Sequence, residues 1–280
     1  MEKIIVKNLC FKYQNSDFAL KDINFKIKAG EFVLITGPSG SGKSTLAYCL
    51  SGIIPHCIKN GKMNGTVIIN GKNTKRVPLN ELAREVGIVF QNPESQIFGM
   101  SVEEDIAFSL ENLCYPKDEI KVRVEKILNF LDLKKLRDEN PECLSGGQKQ
   151  RLVIGSALAT EPEVLILDEP FSNLDPHGVK MVLSTLISLK NSGKTIILIE
   201  RKIGDVVPFV NRIIAIKDGK VFANTNPRKF FENKRIVEKL NIQPPQVVRL
   251  FYKLEEEGMK FNFLPLTIEE LIGGLYGTNH

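Results

Sequence analysis

The stretch GPSGSGKST, residues 37–45, follows directly on the apolar run Phe32–Thr36. It matches the phosphate-binding pattern G-x-x-x-x-G-K-[ST], and its surroundings predict a strand, then a loop, then a helix. Glycines allow such a loop to bend tightly and to bring backbone N–H groups close to phosphate oxygens. The residues expected to contact phosphate are Gly37, Pro38, Ser39, Gly40, Ser41, Gly42, Lys43, Ser44 and Thr45.

Two side chains of this loop have specific expected roles. Lys43 supplies a positive charge for the outer phosphates, and the hydroxyl of Ser44 can ligate Mg²⁺. The helix that begins near Lys43 points the positive end of its dipole at the same anion. An ordinary Gly/Ser turn would have a similar composition, but the preceding strand favours a nucleotide-binding loop.

The composition is that of an ordinary globular protein. The 280 residues are 42% hydrophobic and 25% charged, which is enough for one large or two modest domains with a core. The net charge of +5 is mild, and no cluster of basic residues is dense enough to indicate nucleic-acid binding. The sequence therefore predicts no nucleic-acid partner.

The cysteines indicate a reducing compartment, and the apolar segments predict neither a secretory signal nor a membrane span. The 5 cysteines are scattered and form no C-x-x-C pair, which argues against a zinc site or a disulfide framework. The first residues, Met1–Val6, contain no long apolar segment of a secretory signal. No stretch approaches the roughly 18 apolar residues of a membrane-spanning helix, so another subunit would have to supply any membrane span.

Hydrophobic periodicity divides the chain into β-rich, helical and α/β parts. Asn70-Gly71 predicts a tight turn, and apolar spacings of three and four predict two helices within residues 101–131. Ser101 with Glu104 predicts a capping box, and Asp118 is expected to cap the second helix. The expected strands are Ile4–Val6, Phe25–Ile27, Phe32–Thr36, Val67–Ile69, Gly87–Phe90, Val164–Leu167, Thr195–Ile199, Ile213–Ile216 and Val221–Ala223, with a helix near His177–Leu189.

The character of the sequence changes after Asn224. Asn226-Pro227 and Pro244-Pro245 interrupt two helical stretches, and the chain ends in a Gly-rich segment that includes Gly277. We therefore predict a first unit over residues 1–224, with a helical insert at about 92–160, and a small C-terminal helical module over residues 225–280.

Two acids follow the predicted buried strand Val164–Leu167. Asp168 is placed to hold Mg²⁺ through water, and Glu169 is placed to polarise an attacking water. A pair of acids that merely begins a loop would be weak evidence alone. Together with a phosphate loop in the same chain, the pair favours nucleotide hydrolysis.

Residues 144–151, LSGGQKQR, resemble the LSGGQ signature of the ATP-binding cassette (ABC) ATPases. A serine and two glycines that precede a helix also make physical sense as a second anion site. The resemblance covers residues of about 3–223 and implies an α/β P-loop NTPase cassette, with a parallel-sheet core, an antiparallel β subdomain and an α-helical subdomain. It also implies ATP and Mg²⁺ as ligands, and a signature surface that completes the ATP site of a second cassette. The signature residues are Ser145, Gly146, Gly147 and Gln148.

The same resemblance implies roles for several single residues. Tyr13 matches the aromatic residue that stacks on adenine, although a half-buried strand aromatic would look the same in sequence. Gln91 matches the glutamine that contacts Mg²⁺ and couples to the transporter, and Asp175 lies in the loop that crosses the dimer interface. The implied Mg²⁺ ligands are Ser44, Gln91 and Asp168.

One position departs from the family pattern. Members usually place a histidine after the strand that corresponds to Thr195–Ile199, where it contacts the γ-phosphate, but this chain has Arg201. Arg201 can still grip the γ-phosphate as a permanent cation; alternatively, this site binds ATP but hydrolyses it poorly, and a partner's site performs most of the turnover. The intact Glu169 favours the first interpretation. The candidate catalytic residues are Lys43, Glu169 and Arg201, while the histidines His56, His177 and His280 lie elsewhere.

Two regions resemble the ATPases of energy-coupling-factor (ECF) transporters, which import vitamins or transition-metal ions into prokaryotic cells. The first comprises residues 89–98, VFQNPESQIF, and 102–108, VEEDIAF. The second comprises segments 244–250 and 266–271 of the tail, by which we mean residues 225–280. The resemblance implies a second ABC ATPase subunit, an integral-membrane coupling subunit and a substrate-binding membrane subunit, at the cytoplasmic face of the cell membrane. The tail would help to hold the two ATPases together, or would serve as a generic stabilising cap. Whether the ATPase pair is a homodimer or a heterodimer stays open.

The predicted function is ATP hydrolysis that powers micronutrient import. Two alternatives stand beside it. One is a soluble cassette ATPase that acts on DNA or ribosomes, but such proteins usually carry long coiled-coil insertions, a second cassette or basic arms, which this chain lacks. The other is a nearly inactive, regulatory cassette, which the unusual Arg201 would explain.

Overall fold

The computed structural model describes residues 1–14 and 17–276. Two positions named above, Gly277 and His280, lie outside the described residues. The strands are β1 (Glu2–Tyr13), β2 (Phe18–Lys28), β3 (Phe32–Thr36), β4 (Gly61–Ile69), β5 (Lys72–Asn73), β6 (Val86–Val89), β7 (Val164–Asp168), β8 (Thr195–Ile199), β9 (Arg212–Lys217) and β10 (Lys220–Thr225). The helices are α1 (Lys43–Ser51), α2 (Ile53–His56), α3 (Leu79–Leu82), α4 (Val102–Asn112), α5 (Lys117–Phe130), α6 (Gly146–Leu158), α7 (Pro176–Asn191), α8 (Pro227–Glu232), α9 (Lys234–Leu240), α10 (Gln246–Glu256) and α11 (Ile268–Tyr276).

A six-stranded sheet in the order β10-β9-β3-β8-β7-β6 forms the centre of the fold. The strands from β9 to β6 run parallel, and β10 pairs antiparallel with β9. Every residue of β3, β7 and β8 is buried, as expected for central strands of a sheet that is covered on both faces. The carboxyl ends of these three strands meet at one edge of the sheet, which we call the carboxyl edge.

The second sheet is antiparallel and has the order β2-β1-β4-β5. The predicted turn joins β4 to β5, where Ile69 pairs with Lys72. Asn70 and Gly71 have φ values of 49° and 79°, which a two-residue hairpin turn of this kind requires. The combination of a parallel sheet, an antiparallel sheet and helices confirms the predicted α/β class.

The two helix caps predicted in residues 101–131 form differently from expectation. The Oγ of Ser101 accepts the Glu104 N–H at 3.2 Å, but the Glu104 carboxylate accepts the Met100 N–H at 2.9 Å. The capping box at α4 is therefore only half formed. Pro116 is the N-cap of α5, and Asp118 lies in the first turn instead of capping it. Pro116 has the extended ψ of 143° that an N-cap residue adopts, and its side chain makes no capping hydrogen bond.

Helices α8–α11 share one hydrophobic core with the central sheet. Phe230 and Phe231 are fully buried in edge-to-face contact, and the Tyr252 hydroxyl donates to the carbonyl oxygen of Phe231. The division of the chain at residue 224 stays a prediction. Within the described ranges, no helix combines the length and the apolar character that crossing a membrane requires.

Candidate functional site

The phosphate loop connects β3 to α1. Gly42 directly precedes α1 and has φ 101°, in the left-handed region. The Nζ of Lys43 donates to the carbonyl oxygens of Gly37 at 2.9 Å and Pro38 at 2.8 Å. The lysine side chain therefore runs back along its own loop, and its ammonium group lies at the loop's beginning.

Two of the loop glycines are required by neighbouring backbone. An added Cβ would lie 2.0 Å from the carbonyl oxygen of Ile216 at Gly37, and 2.4 Å from that of Ala19 at Gly42. Both carbonyls belong to sheet strands, so neither can move without distorting its sheet. From sequence alone, these glycines are expected to allow a tight bend and close approach to phosphate. Their contacts with Ile216 and Ala19 are not visible there, because those strand residues are distant in the chain.

Burial changes the ionisation of the groups at the carboxyl edge. It lowers the pKa of Lys43, against the opposing effect of the Glu169 carboxylate. Burial also raises the pKa of Asp168, although a hydrogen bond from Ser44 stabilises the charged form of this carboxylate. The Oδ1 of Asp168 is buried without a hydrogen-bond partner, as is the Oγ of Ser41. The structure thus brings Ser44 and Asp168 into contact beside the phosphate loop.

The carboxylate of Glu169 is held by two other candidate residues. Its Oε1 lies 3.1 Å from the Nε of Arg201, and its Oε2 accepts the Nε2 of Gln91 at 3.2 Å. Glu169 has φ 47°, and Ser172 donates both its N–H and its hydroxyl to the Glu169 carbonyl oxygen, at 3.1 and 2.8 Å. A tight turn therefore fixes the backbone of Glu169, and its side chain meets Gln91 and Arg201.

Glu200 is a buried acid of this site to which the sequence analysis gave no role. It is 4% exposed, and its carboxylate accepts the N–H groups of Phe171 at 3.0 Å and Arg201 at 3.2 Å. Its own N–H donates to the carbonyl oxygen of Ile35 at 3.1 Å. Burial raises the pKa of Glu200 to about 7. The available sequence signal is an acid that directly follows the predicted strand Thr195–Ile199, as Asp168 follows the predicted strand Val164–Leu167.

Tyr13 lies at the end of β1, on the antiparallel sheet. Its hydroxyl is 3.1 Å from the Oγ1 of Thr45 in α1, and its ring makes an edge-on contact with Phe11 at 4.7 Å between centroids. The tyrosine is therefore next to the helix that follows the phosphate loop. Its stacking on adenine stays a prediction.

The signature segment begins α6. The Oγ of Ser145 accepts the Gln148 N–H at 3.3 Å, and the Oε1 of Gln148 accepts the Ser145 N–H at 2.8 Å, which completes a capping box. Gly146 and Gly147 lie inside the helix, which corrects the prediction that they precede it. The reason is that the reciprocal bonds with Gln148 make Ser145 the cap. Both hydrogen bonds join residues at the start of α6, and neither involves the phosphate loop.

Two contacts connect the signature helix to other motifs. The Oδ1 of Asp175 accepts the Gly178 N–H at 2.6 Å and caps α7, and an added Cβ on Gly147 would lie 3.2 Å from the Cα of Gly178. Lys149 forms an ion pair at 2.8 Å with Glu94, which lies three residues after Gln91. The first turn of α6 is thus linked both to the Asp175 loop and to the Gln91 segment.

An exposed apolar surface lies beyond the Gln91 segment. Phe98 and Met100 are 67% and 77% exposed, and Phe108 on α4 is 43% exposed. The rings of Phe98 and Phe108 stack with 5.3 Å between their centroids. We call these three residues the aromatic patch.

Comparison with known proteins identifies the family. The family model described as ABC transporter matches residues 20–172, which include the phosphate loop and the signature. A Pyrococcus abyssi protein, provisionally named an ABC transporter ATP-binding protein, is 43% identical over 274 residues, which are 97% of each chain. This chain belongs to the ABC transporter family. It is an ATP-binding cassette ATPase that is coupled to transport.

Other similar proteins differ in how much of their own length this chain matches. A Methanosarcina mazei ABC protein with the same provisional name is 45% identical over 87% of this chain, but the chain spans only 42% of that protein's length. Among solved structures, CbiO1 of Clostridium perfringens, part of the ABC transporter complex CbiONQ, has a TM-score of 0.76 and 35% identity over 91% of this chain and 100% of its own. A dimeric ATP-binding cassette in a post-hydrolysis state with ADP and Pi has a TM-score of 0.69 and 30% identity over 80% of this chain and 99% of its own.

Proposed function

We propose that this ABC ATPase powers an ECF-type importer, and that the imported micronutrient is a vitamin or a transition-metal ion. The observation that carries the proposal is the similarity to CbiO1 over 91% of the chain. Residues 1–224, the predicted cassette, are 80% of the 280 residues. The similarity to CbiO1 therefore reaches into the tail, and it covers more of this chain than two other ATP-binding cassettes, which match 80% and 86% of it.

ATP hydrolysis would use the groups at the carboxyl edge. Glu169 accepts a proton from the attacking water while the water oxygen bonds to the γ-phosphorus and ADP leaves with the bridging oxygen. Lys43 and the loop N–H groups stabilise the negative charge on the phosphates. Arg201, with 54% of its side chain exposed, is free to turn from Glu169 toward the γ-phosphate.

The residues at the site fit Mg²⁺. Ser44 offers a hydroxyl, Asp168 has a buried and unpaired Oδ1, and the Gln91 side chain reaches the same region through its contact with Glu169. In the described part of the chain, no group of three or more His, Cys, Asp or Glu residues could hold a metal alone. Phosphate oxygens and water would therefore complete the oxygen ligands that Mg²⁺ prefers. When bound, Mg²⁺ neutralises part of the phosphate charge.

A second cassette would complete the nucleotide site. The first turn of α6, which contains Ser145, Gly146, Gly147 and Gln148, presents a helix N-terminus to the partner's phosphates, and Asp175 lies at the interface. We favour a heterodimer, in which a relative with the usual histidine compensates for Arg201. More than half of the Methanosarcina mazei relative lies outside the match, which is length enough for a second cassette in one polypeptide.

The aromatic patch is the proposed docking surface for the membrane coupling subunit. Exposed apolar side chains that cluster, as the stacked rings of Phe98 and Phe108 do, support a partner surface. The patch follows Gln91 closely in sequence, and Gln91 contacts the Glu169 carboxylate. Docking of a partner at the patch can therefore affect the position of Glu169 through Gln91. The position of the patch explains how a chain without a membrane-spanning helix in its described residues could drive transport.

The experiment that tests this proposal is purification of the tagged protein from native membranes. We expect a second cassette and two integral-membrane proteins to co-purify, and we expect ATPase activity in the purified complex. ATPase activity that is stimulated by DNA, RNA or ribosomes, in a preparation without membrane partners, would overturn the importer proposal. A complex that assembles but hydrolyses ATP only at the partner's site would instead identify a regulatory cassette.

A further inference from the structure

Glu200 is an acid that the proposed reaction does not use. It follows β8 directly and is almost completely buried. Both oxygens of its carboxylate accept backbone N–H groups, those of Phe171 and Arg201, and among the described residues neither oxygen pairs with a cationic side chain. Burying an acid in this way costs folding free energy, so an apolar or neutral residue would suit the end of this strand better.

The two N–H groups come from segments that carry the reacting side chains. Phe171 lies two residues after Glu169, inside the turn that Ser172 closes onto the Glu169 carbonyl oxygen. Arg201 carries the guanidinium that contacts the Glu169 carboxylate at 3.1 Å. The Glu200 carboxylate therefore joins the backbone behind Glu169 to the backbone of Arg201.

A carboxylate suits this connection for a chemical reason. It has two acceptor oxygens and no donor, so it can accept from both N–H groups at once. A glutamine has one acceptor oxygen, and its NH₂ group would point toward one of the two backbone N–H groups. Replacement of Glu200 by glutamine is nearly isosteric, but it would break the connection on one side.

We propose that Glu200 is a positioning residue for ATP hydrolysis, because it sets the location of the Glu169 carboxylate relative to the Arg201 guanidinium. This inference rests on the proposed roles of Glu169 and Arg201. The side chain of Glu200 accepts two backbone N–H groups outside the phosphate loop, and its charge affects Lys43 less than the charge of Glu169 does, so its replacement should slow the chemical step far more than it weakens ATP binding.

The test measures kcat and KM for ATP in the full-length protein together with the subunits that co-purify with it. For Glu200→Gln we expect kcat to fall about 10- to 100-fold, while KM stays within about twofold. Glu200→Asp keeps two acceptor oxygens and should recover part of the lost kcat. Glu31→Gln is the matched control, because Glu31 accepts the Lys28 N–H at 2.6 Å at the opposite end of β3, and its kcat should stay at the wild-type value.

Glu169→Gln, measured in parallel, separates the two levels of the inference. If Glu169→Gln is inactive and Glu200→Gln has the wild-type kcat, the positioning role is wrong and the proposed site survives. If Glu169→Gln is fully active, the proposed role of Glu169 is wrong and the positioning role falls with it. If both Glu200 variants lose ATP binding and thermal stability in step with kcat, Glu200 is purely structural, which also overturns the inference.

Discussion

At the scale of single residues, the contact between Arg201 and Glu169 sets the position of the proposed base. A guanidinium that lies 3.1 Å from a carboxylate holds that carboxylate in one orientation. The γ-phosphate of ATP carries more negative charge than Glu169 and can bind the same guanidinium through two oxygens. ATP would therefore draw Arg201 away from Glu169, and the base would become free only when a γ-phosphate is present.

Glu169→Gln should abolish turnover at this site and spare ATP binding. Glutamine keeps the shape and the contact with Gln91 but cannot accept a proton, so we expect turnover to fall about 100- to 10,000-fold. Single-turnover hydrolysis and binding of a fluorescent ATP analogue measure the two effects. Unchanged hydrolysis at this subunit's own site would mean that another group is the base.

Arg201→Ala should weaken ATP-dependent dimerisation or turnover, because it removes the cation proposed to bind the γ-phosphate. We expect a loss of about tenfold or more in kcat, comparable to other single groups that stabilise transition-state charge. Lys202→Ala is the matched control, since Lys202 is the neighbouring exposed cation. ATPase rates and size-exclusion profiles with ATP supply the measurement, and Arg201 is a bystander if neither changes.

Glu200 should make the stability of the protein depend on pH. Its pKa is about 7 in the folded protein against an ordinary 4.5, so the folded state binds the proton more tightly. The resulting stabilisation is complete below pH 4.5 and is lost as the pH rises through 7. Relative to wild type, Glu200→Gln should gain on the order of 3 kcal/mol in free energy of unfolding between pH 4.5 and 8. Urea denaturation at several pH values measures the difference, and a pH-independent difference would contradict it.

The residues that could be predicted from sequence are those with a fixed spacing to a recognisable motif. Lys43, Asp168 and Gln91 are examples, because each belongs to a short run whose pattern is visible in the chain. Glu200 could not be assigned a role, because its partner Phe171 is 29 residues away in the chain and becomes its neighbour only through the pairing of β7 with β8. The requirement for glycine at position 37 likewise depends on a strand far along the chain.

At the scale of elements, a buried acid on α4 fixes the aromatic patch. The Oδ1 of Asp105 accepts the N–H groups of Phe98 at 2.8 Å and Gly99 at 3.1 Å, and its Oδ2 accepts the hydroxyl of Ser156 at 2.7 Å. Asp105 thereby joins α4, α6 and the segment that follows Gln91. The shape of the proposed docking surface depends on this one side chain.

Asp105→Asn should destabilise the segment of Phe98 and loosen the patch. The substitution removes the negative charge, so the Phe98 and Gly99 N–H groups bond to a neutral amide oxygen and the Ser156 hydroxyl loses its carboxylate acceptor, at a cost of about 1–3 kcal/mol. Hydrogen exchange of the Phe98 and Gly99 amides, with thermal unfolding, measures the effect. Glu104→Gln is the control, because the amide oxygen can still accept the Met100 N–H. Equal exchange in wild type and Asp105→Asn would show that other contacts hold the segment.

The elements themselves were largely predictable, and their ends were less so. The apolar runs of β3, β7 and β8 and the Asn70-Gly71 turn carry strong local signals, and the structure has each of them. The prediction that Asp118 caps α5 is wrong. Pro116 and Asp118 are both common residues at helix starts, and sequence alone does not decide between them. Glu104 was misassigned for a similar reason, since two N–H groups compete for one carboxylate.

At the scale of the whole molecule, the tail presents an apolar face that the described chain leaves uncovered. Ile268, Ile272 and Leu275 are 61%, 48% and 44% exposed, and their spacing places them on one side of α11. Buried residues of α8 to α11, among them Phe230, Val248 and Leu271, pack into the core of the central sheet. The tail is thus held by its buried residues and exposes an apolar face on α11. We propose that this face joins two ATPase subunits.

Ile272→Glu should therefore weaken subunit association without unfolding the protein. A charge placed in an apolar interface must be desolvated, and we expect a loss of at least about tenfold in dimer affinity. Val122→Glu on α5 is the matched control, because Val122 is 68% exposed and lies outside the tail. Analytical ultracentrifugation with and without ATP measures association, and equal dimer affinity in both variants would contradict the role of the tail.

The ion pair between Lys149 and Glu94 has a kinetic consequence for such a dimer. It connects α6, whose first turn would face the nucleotide of the other subunit, to the segment that follows Gln91 at the subunit's own site. Occupancy of one site would then alter the geometry of the other, and the rate of hydrolysis would rise with ATP concentration with a Hill coefficient above one. Because Glu94 is 67% exposed, added salt screens the pair, and this cooperativity would fade as ionic strength increases.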